Sequence, residues 1–344
     1  MLGDYRDEHL GALAVTVVQL ADLRLKLALT ARQKNAQTII DKLRLAPKME
    51  LSNMQDIAGA RVIVAGGRRA QDEAVKEIVG RFQRHKDLRD RRSKPSYGYR
   101  AVHVIVKASE CWAEVQVRTP YQDRWAQTFE RLGDDWGRQI RYGEPPDEPE
   151  TTTLVAGAPV ARAEVVAYMR ELSDMIDDVE TEEVRVFEAM DESASVQGSL
   201  SATEREERLA GLSAAQRDCR QRFHDIDAMF EALRDVVPVT PASSMVIGQV
   251  APAAGTEVPH FLVAYRRSTD ALLEVRSFTS AHVDDAVALR ARFEQEHRGD
   301  PDFEAVLLAS RSEAELRQTH ARYFKNLGQL VRPGGDDSGQ GGQS

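Results

Sequence analysis

Between Ala60 and Thr119 the chain carries three short runs, "ARVIV", "RAVHVIVK" and "WAEVQVRT", rich in β-branched residues or alternating apolar with polar ones. Both patterns mark strands, because successive side chains of a strand leave on opposite faces and β-branched residues pack well there. A stretch with helical spacing, "AQDEAVKEIVGRFQRH", separates the first run from the second. After the third comes "PYQDRWAQTFERLGDDWGRQI", which reads as a helix with proline in its first turn. Upstream, Asp4 to Arg44 lacks proline and keeps helical spacing, which predicts one or two helices. Helices followed by β-α-β-β-α predict an α+β domain, a mixed sheet flanked by helices.

Beyond that unit, "YGEPPDEPETTT" is proline-rich and acidic, the signature of a boundary. Two long helices are predicted over Val160–Met190 and Thr203–Val236, then a break at "PVTPASS". Strands at "HFLVAYR", "LLEVRSF" and "FEAVLLA", with helices at "DDAVALRARFEQEH" and "EAELRQTHARYF", predict a small α+β module of its own. The tail "GGDDSGQGGQS" has the composition of a disordered segment. The expected division is thus a first domain over 1–145, a helical connector over 154–237, a module over 243–327 and a tail over 332–344.

Hydrophobic residues at 42% and charged residues at 29% describe a soluble globular chain, and no apolar run approaches the roughly 20 residues of a membrane span. The N-terminus carries acids early and does not read as a signal peptide. Cys111 and Cys219 offer neither a disulfide framework nor a zinc set. A cytoplasmic protein is expected. The formal charge of −9 argues against a general nucleic-acid coat, yet eight basic residues face two acids between Arg81 and Arg100. A solvated helix face and an anion-binding rim both account for such a run. No Walker-type phosphate loop or kinase glycine loop is present, so any phosphate is held by side chains. His224-Asp225 has no companion ligands in sequence and does not read as a metal site.

Three segments bring chemistry together. "QDIAGARVIV" puts Asp56 just before a strand, Gly59 where the backbone could approach closely, and Arg61 inside the strand. "KPSYGYRAVHVIV" sets Tyr99 and His103 on one face, away from Val102, Val104 and Val106. In "WAEVQVRT", Glu114, Gln116 and Arg118 leave on the side opposite Ala113, Val115 and Val117. Adjacent strands would then offer a ring, an imidazole, a carboxylate and a guanidinium to one cleft, with Asp56 at its edge.

"DIAGARV", "KPSYGYRAVH" and "EVQVRT", in this order, resemble the synthetase domain of the RelA/SpoT family over roughly Arg32–Gly143. The resemblance implies a nucleotidyltransferase-like sheet and an ATP-dependent pyrophosphokinase. Such an enzyme moves pyrophosphate from ATP to the 3′-hydroxyl of GDP or GTP, making (p)ppGpp-type alarmones with Mg2+. It implies that Asp56 is the main metal ligand, and that Glu114 assists the metal or activates the hydroxyl as general base. Tyr99 matches the family tyrosine that stacks on the acceptor guanine. Lys94, Arg100, His103, Gln116 and Arg118 would line the acceptor pocket and its phosphates. "RQKNAQTIIDKLR" resembles the family segment that grips ATP, which assigns Arg32, Lys34 and Lys42, with Arg61, to phosphates or adenine.

The chain also departs from the pattern. Many members carry a Glu-His pair in the next helix; here Trp125 and Ala126 are kept, but Glu130-Arg131 stands where the pair would be. The 55 residues before Asp56 leave no room for the hydrolase domain of the long bifunctional enzymes, so a short, synthetase-only member is expected. Two other readings stay open. One is a toxic short synthetase that pyrophosphorylates the 3′-end of tRNA. The other is a degenerate member that binds nucleotides or a partner without catalysis. The C-terminal module could restrain the site, and a homo-oligomer is possible.

Overall fold

The computed structural model describes residues 2–23, 27–45, 48–82, 84–195, 201–234, 236, 258–266, 271–300, 302–312, 315–316 and 320. In chain order these form α1 (Leu2–Glu8), α2 (Leu10–Ala21), β1 (Leu27–Gln33), α3 (Ala36–Leu45), β2 (Ala58–Val64), α4 (Arg68–Arg81), β3 (His85–Asp90), β4 (Val102–Ala108), β5 (Cys111–Arg118) and α5 (Pro120–Trp136). A hairpin of β6 (Thr152–Val155) and β7 (Ala158–Ala161) leads into α6 (Arg162–Ser195) and α7 (Ala202–Ala232). Then come β8 (His260–Arg266), β9 (Ala271–Phe278), α8 (Val283–Glu296) and β10 (Phe303–Ser310). The fold is α+β. Among the described residues, no helix is long and apolar enough to cross a membrane.

Eight strands join one sheet in the order β3-β4-β5-β2-β1-β10-β8-β9, with β2 and β5 parallel and every other neighbouring pair antiparallel. One face is apolar. Val62 and Val64 of β2, Val104 and Val106 of β4, and Val115 and Val117 of β5 pack with Leu13, Val17 and Leu20 of α2 and Ile78 of α4. Burying each such side chain contributes about 1.5–3 kcal/mol, which fixes strand register, since a slip of one residue would turn every valine outward. The same alternation sends Arg61, His103, Glu114 and Gln116 to the other face.

The structure departs from the sequence reading in four places. Leu27–Gln33 is a strand rather than part of a helix: Leu29 and Ala31 enter the core while Thr30 and Arg32 leave on the opposite face. Strand β3 was not anticipated, because "HKDLRD" is a mostly exposed edge strand with no apolar side to betray it. The expected connector is packed rather than free. Trp125 and Phe129 of α5 share a core with Met169, Leu172 and Ile176 of α6 and with Ile226 and Phe230 of α7. Finally, the strands of the expected separate module continue the first domain's sheet, with β10 pairing β1 through Thr30–Ser310 and Arg32–Leu308. Edge strand β1 would otherwise show unpaired backbone groups, and β10 satisfies them. Most of the helix expected over 313–324, and the tail, lie outside the described residues.

Candidate active site

On the polar face of the sheet, register brings the conspicuous side chains together. His103 of β4 lies opposite Gln116 of β5. Arg61 of β2 also lies opposite Gln116, and Arg32 of β1 lies opposite Gly59. A narrow, open cleft lies here, walled by Arg32, Lys34, Asp56, Arg61, Glu114 and Gln116. The approach at Gly59 does not require glycine: a Cβ there would stand 3.7 Å from the Glu114 carbonyl oxygen, an ordinary contact.

Asp56 sits in the segment that enters β2 and is gripped by two lysines. Lys34, just past β1, donates to Oδ2, and Lys42 of α3 lies 2.9 Å from both carboxylate oxygens. Burial pushes the Asp56 carboxyl up, but Lys34 and Lys42 outweigh it and hold it below its ordinary value. Burial also lowers Lys34, an effect that Asp56 only partly offsets. The side chains assigned to the donor thus start out paired with the carboxylate assigned to the metal.

A closed ring of hydrogen bonds forms the other half. Glu114 Oε1 meets His103 Nδ1 at 3.0 Å, and His103 Nε2 meets the Tyr99 hydroxyl at 2.9 Å. Arg118 Nη2 donates to that hydroxyl and to Gln116 Oε1, both at 3.0 Å, and Gln116 Nε2 donates back to Glu114 Oε2 at 3.0 Å. Asp123, in the first turn of α5, accepts from Arg118 Nη1 at 2.9 Å and is fully buried. Burial opposes charge on His103 and on Glu114, yet contact with Tyr99 and Glu114 raises His103, and contact with His103 and Gln116 lowers Glu114. An imidazolium–carboxylate pair results. Arg118 and His103 likewise pull the Tyr99 hydroxyl below its ordinary value against burial.

Not every expected residue arrives. Arg100 turns away to α6: its Nε donates to Ser173 Oγ at 3.0 Å, and its terminal nitrogens reach Asp174 at 2.6 Å and Asp177 at 3.1 Å. It anchors the loop that carries Tyr99 rather than facing the cleft. Lys94 is exposed on that loop. Arg61 borders the cleft but also bridges to Glu130 at 3.3 Å, so the Glu130-Arg131 pair contributes through Glu130. Arg131 instead donates to the Tyr265 hydroxyl on β8 at 3.0 Å. The sequence reading missed Asp123, whose place in the first turn of the helix after "EVQVRT" offered a signal. It also missed His320, which lines the cleft from far along the chain and gave none.

Among the described residues no group of three or more His, Cys, Asp or Glu side chains could hold a metal unaided. Asp56 and Glu114 nevertheless face one cleft, and the Glu114 charge acts on Asp56. Two carboxylates completed by phosphate oxygens and water suit Mg2+, which retains water and binds through few protein ligands. The residues present fit that ion.

A family model described as a region found in RelA / SpoT proteins matches residues 31–131. Uncharacterized proteins of Mycobacterium bovis and Mycobacterium tuberculosis are 37% identical over 150 residues, 43% of this chain and 53% of theirs. The chain therefore spans about half the length of the curated relatives it matches. Among solved structures, small alarmone synthetase 1 of Bacillus subtilis is 21% identical over 55% of this chain and 94% of its own, at a TM-score of 0.38. A GTP pyrophosphokinase family protein of Streptococcus pneumoniae is 24% identical over 46% of this chain and 74% of its own, at a TM-score of 0.35. The matched residues 31–131 hold both carboxylates, both lysines and the hydrogen-bonded ring.

Proposed function

We propose that this chain is an ATP-dependent pyrophosphokinase that transfers the β,γ-pyrophosphoryl group of ATP to the 3′-hydroxyl of GDP or GTP. The observation that carries the reading is the placing of Asp56 and Glu114 on one cleft, between the Arg32–Lys34–Lys42 side and the Tyr99–His103–Arg118 side. In the transfer a bond forms between the acceptor oxygen and the β-phosphorus as the hydroxyl proton passes to water, the bridge to the α-phosphate breaks, and AMP leaves with the bridging oxygen. Such reactions depend mainly on positioning and charge neutralisation. Arg32, Lys34 and Lys42 take the triphosphate, and arginine adds a planar fork for stacking or bidentate contact. Tyr99 and Arg118 form the acceptor wall. Asp56 and Glu114 would hold Mg2+, which would neutralise charge on the transferring phosphates.

For Glu114 the structure favours one of its two expected roles. A general base works best when its pKa lies near the operating pH. Contact with His103 and Gln116 moves Glu114 well below that point. That direction supports the metal-assisting role for Glu114.

A second reading changes only the acceptor. Trp112, on the same face of β5 as Glu114, is flanked by the ammonium groups of Lys86 at 5.7 Å and Lys107 at 5.5 Å. An aromatic ring between cations beside the cleft suits a nucleic-acid strand, which favours the 3′-end of tRNA. ATP labelled at its β and γ phosphates, offered with GDP, GTP and deacylated tRNA, separates the cases. Label on GDP or GTP, lost in Asp56→Ala, supports the first reading, and label on tRNA alone supports the second. No transfer to any acceptor refutes both and leaves a nucleotide- or partner-binding chain.

A further inference from the structure

We propose that His320 is a contact residue for the donor nucleoside triphosphate, so that the C-terminal part of the chain completes the ATP side of the cleft; this rests on the pyrophosphokinase reading above. His320 lines the same cleft as Arg32, Lys34 and Asp56 while lying far outside the RelA/SpoT region. Its ring is 3% exposed, and Nδ1 lies 3.1 Å from the Thr30 hydroxyl. Thr30 and Arg32 are two positions apart on β1 and share a face, so the imidazole stands beside the guanidinium assigned to phosphate or adenine.

The position is built rather than incidental. Strand β10 pairs with β1 along Thr30–Arg32, tying the end of the sheet to the donor side. At the end of β10 the Ser310 hydroxyl donates to the Leu29 carbonyl of β1 at 3.1 Å, Arg311 Nε donates to Glu315 at 3.0 Å, and Leu316 is fully buried against the β8–β10 core. The His320 amide then donates to the Leu316 carbonyl at 2.9 Å, which sets the ring over Thr30. An imidazole held there serves a nucleotide in two ways, by hydrogen bonding to ribose or phosphate and by stacking on a purine.

Calorimetric titration of the full chain with Mg2+ and α,β-methylene ATP, and separately with GDP, tests the assignment. His320→Ala should weaken the ATP analogue about tenfold, the worth of one hydrogen bond to a charged group, and leave GDP affinity within twofold. His320→Gln, which keeps a donor and an acceptor, should recover most of the loss. Thermal unfolding of each variant guards against a general loss of structure. The assignment is overturned if His320→Ala binds the analogue like wild type. It is equally overturned if that variant binds more tightly, which would make the ring an obstruction, or if both ligands weaken together. Wild-type protein that binds GDP but no ATP analogue would instead refute the pyrophosphokinase reading, and this assignment with it.

Discussion

Replacing Arg100 by alanine separates an anchor from a ligand. Its guanidinium is 6% exposed and holds the Tyr99 loop to α6 through Ser173, Asp174, Asp177 and the Arg92 carbonyl. Breaking a fully buried pair costs about 3–5 kcal/mol because a charge is left unpaired. Here the cost is smaller. Asp174 is 68% exposed and worth at most about 1 kcal/mol, and Asp177 keeps Arg68 as a partner. Ser173 and the Arg92 carbonyl each lose a buried donor, at about 1 kcal/mol apiece. The expected loss is therefore about 2–4 kcal/mol, read from urea unfolding without ligand. Arg100→Lys should recover only part of it, since an ammonium cannot reach all four acceptors as the guanidinium fork does. Unchanged stability together with a weakened acceptor affinity would refute the anchor and restore Arg100 to the acceptor pocket.

Four other outcomes follow from the same geometry. His103 is raised to about 9, so its stabilisation is full below its unfolded value near 6.5 and disappears as pH rises through 9. Urea unfolding from pH 6 to 10 should show an alkaline decline that His103→Gln flattens, and parallel curves would refute the pairing. Gly98→Ala should cost about 2–4 kcal/mol by urea unfolding, because φ is +92° there and a Cβ would stand 2.6 Å from the Trp125 ring; a loss under about 1 kcal/mol would refute this. Tyr265→Phe removes the buried partner of Arg131 and should cost about 1 kcal/mol by urea unfolding, whereas no loss would mean that β8 and α5 are energetically independent. Mg2+ and α,β-methylene ATP should each bind more tightly in the other's presence, and Asp56→Asn should abolish that synergy in calorimetric titrations.

What the sequence disclosed depended on how local the cause was. The faces of β5 were readable because alternation is a property of adjacent residues, and the structure keeps Glu114 and Gln116 opposite Val115 and Val117. Parity also contained the correction for Arg100. The rule that puts Tyr99 and His103 on one face puts Arg100 on the other, where α6 waits with Ser173. Strand β1 was hidden because "LALTARQ" continues the spacing of α2, and β10 and β2 make it a strand by pairing on both sides. Strand β3 was hidden for the reverse reason, having a single neighbour and almost no buried side. His320 and the joining of β10 to β1 depend on contacts across most of the chain, and no local pattern encodes those.

The buried charges of the cleft already have partners, with Arg61 bridging to Glu130 and sharing Asp123 with Arg118. Asp56 is held by Lys34 and Lys42, Glu114 by His103, and Arg118 by Asp123. Unpaired charges at this depth would cost several kcal/mol each, so the site neutralises itself. Binding must then exchange partners rather than fill vacancies. A triphosphate that draws Lys34 and Lys42 toward itself leaves Asp56 with uncompensated charge, which is the condition under which a divalent cation is favoured there. A cation arriving first would instead displace two ammonium groups with no anion to receive them. In the proposed reaction Asp56 and the lysines would thus couple donor and metal energetically. Glu114 ties that exchange to the other half of the cleft, because its two carboxylate oxygens are already held by His103 Nδ1 and Gln116 Nε2 while its charge acts on Asp56.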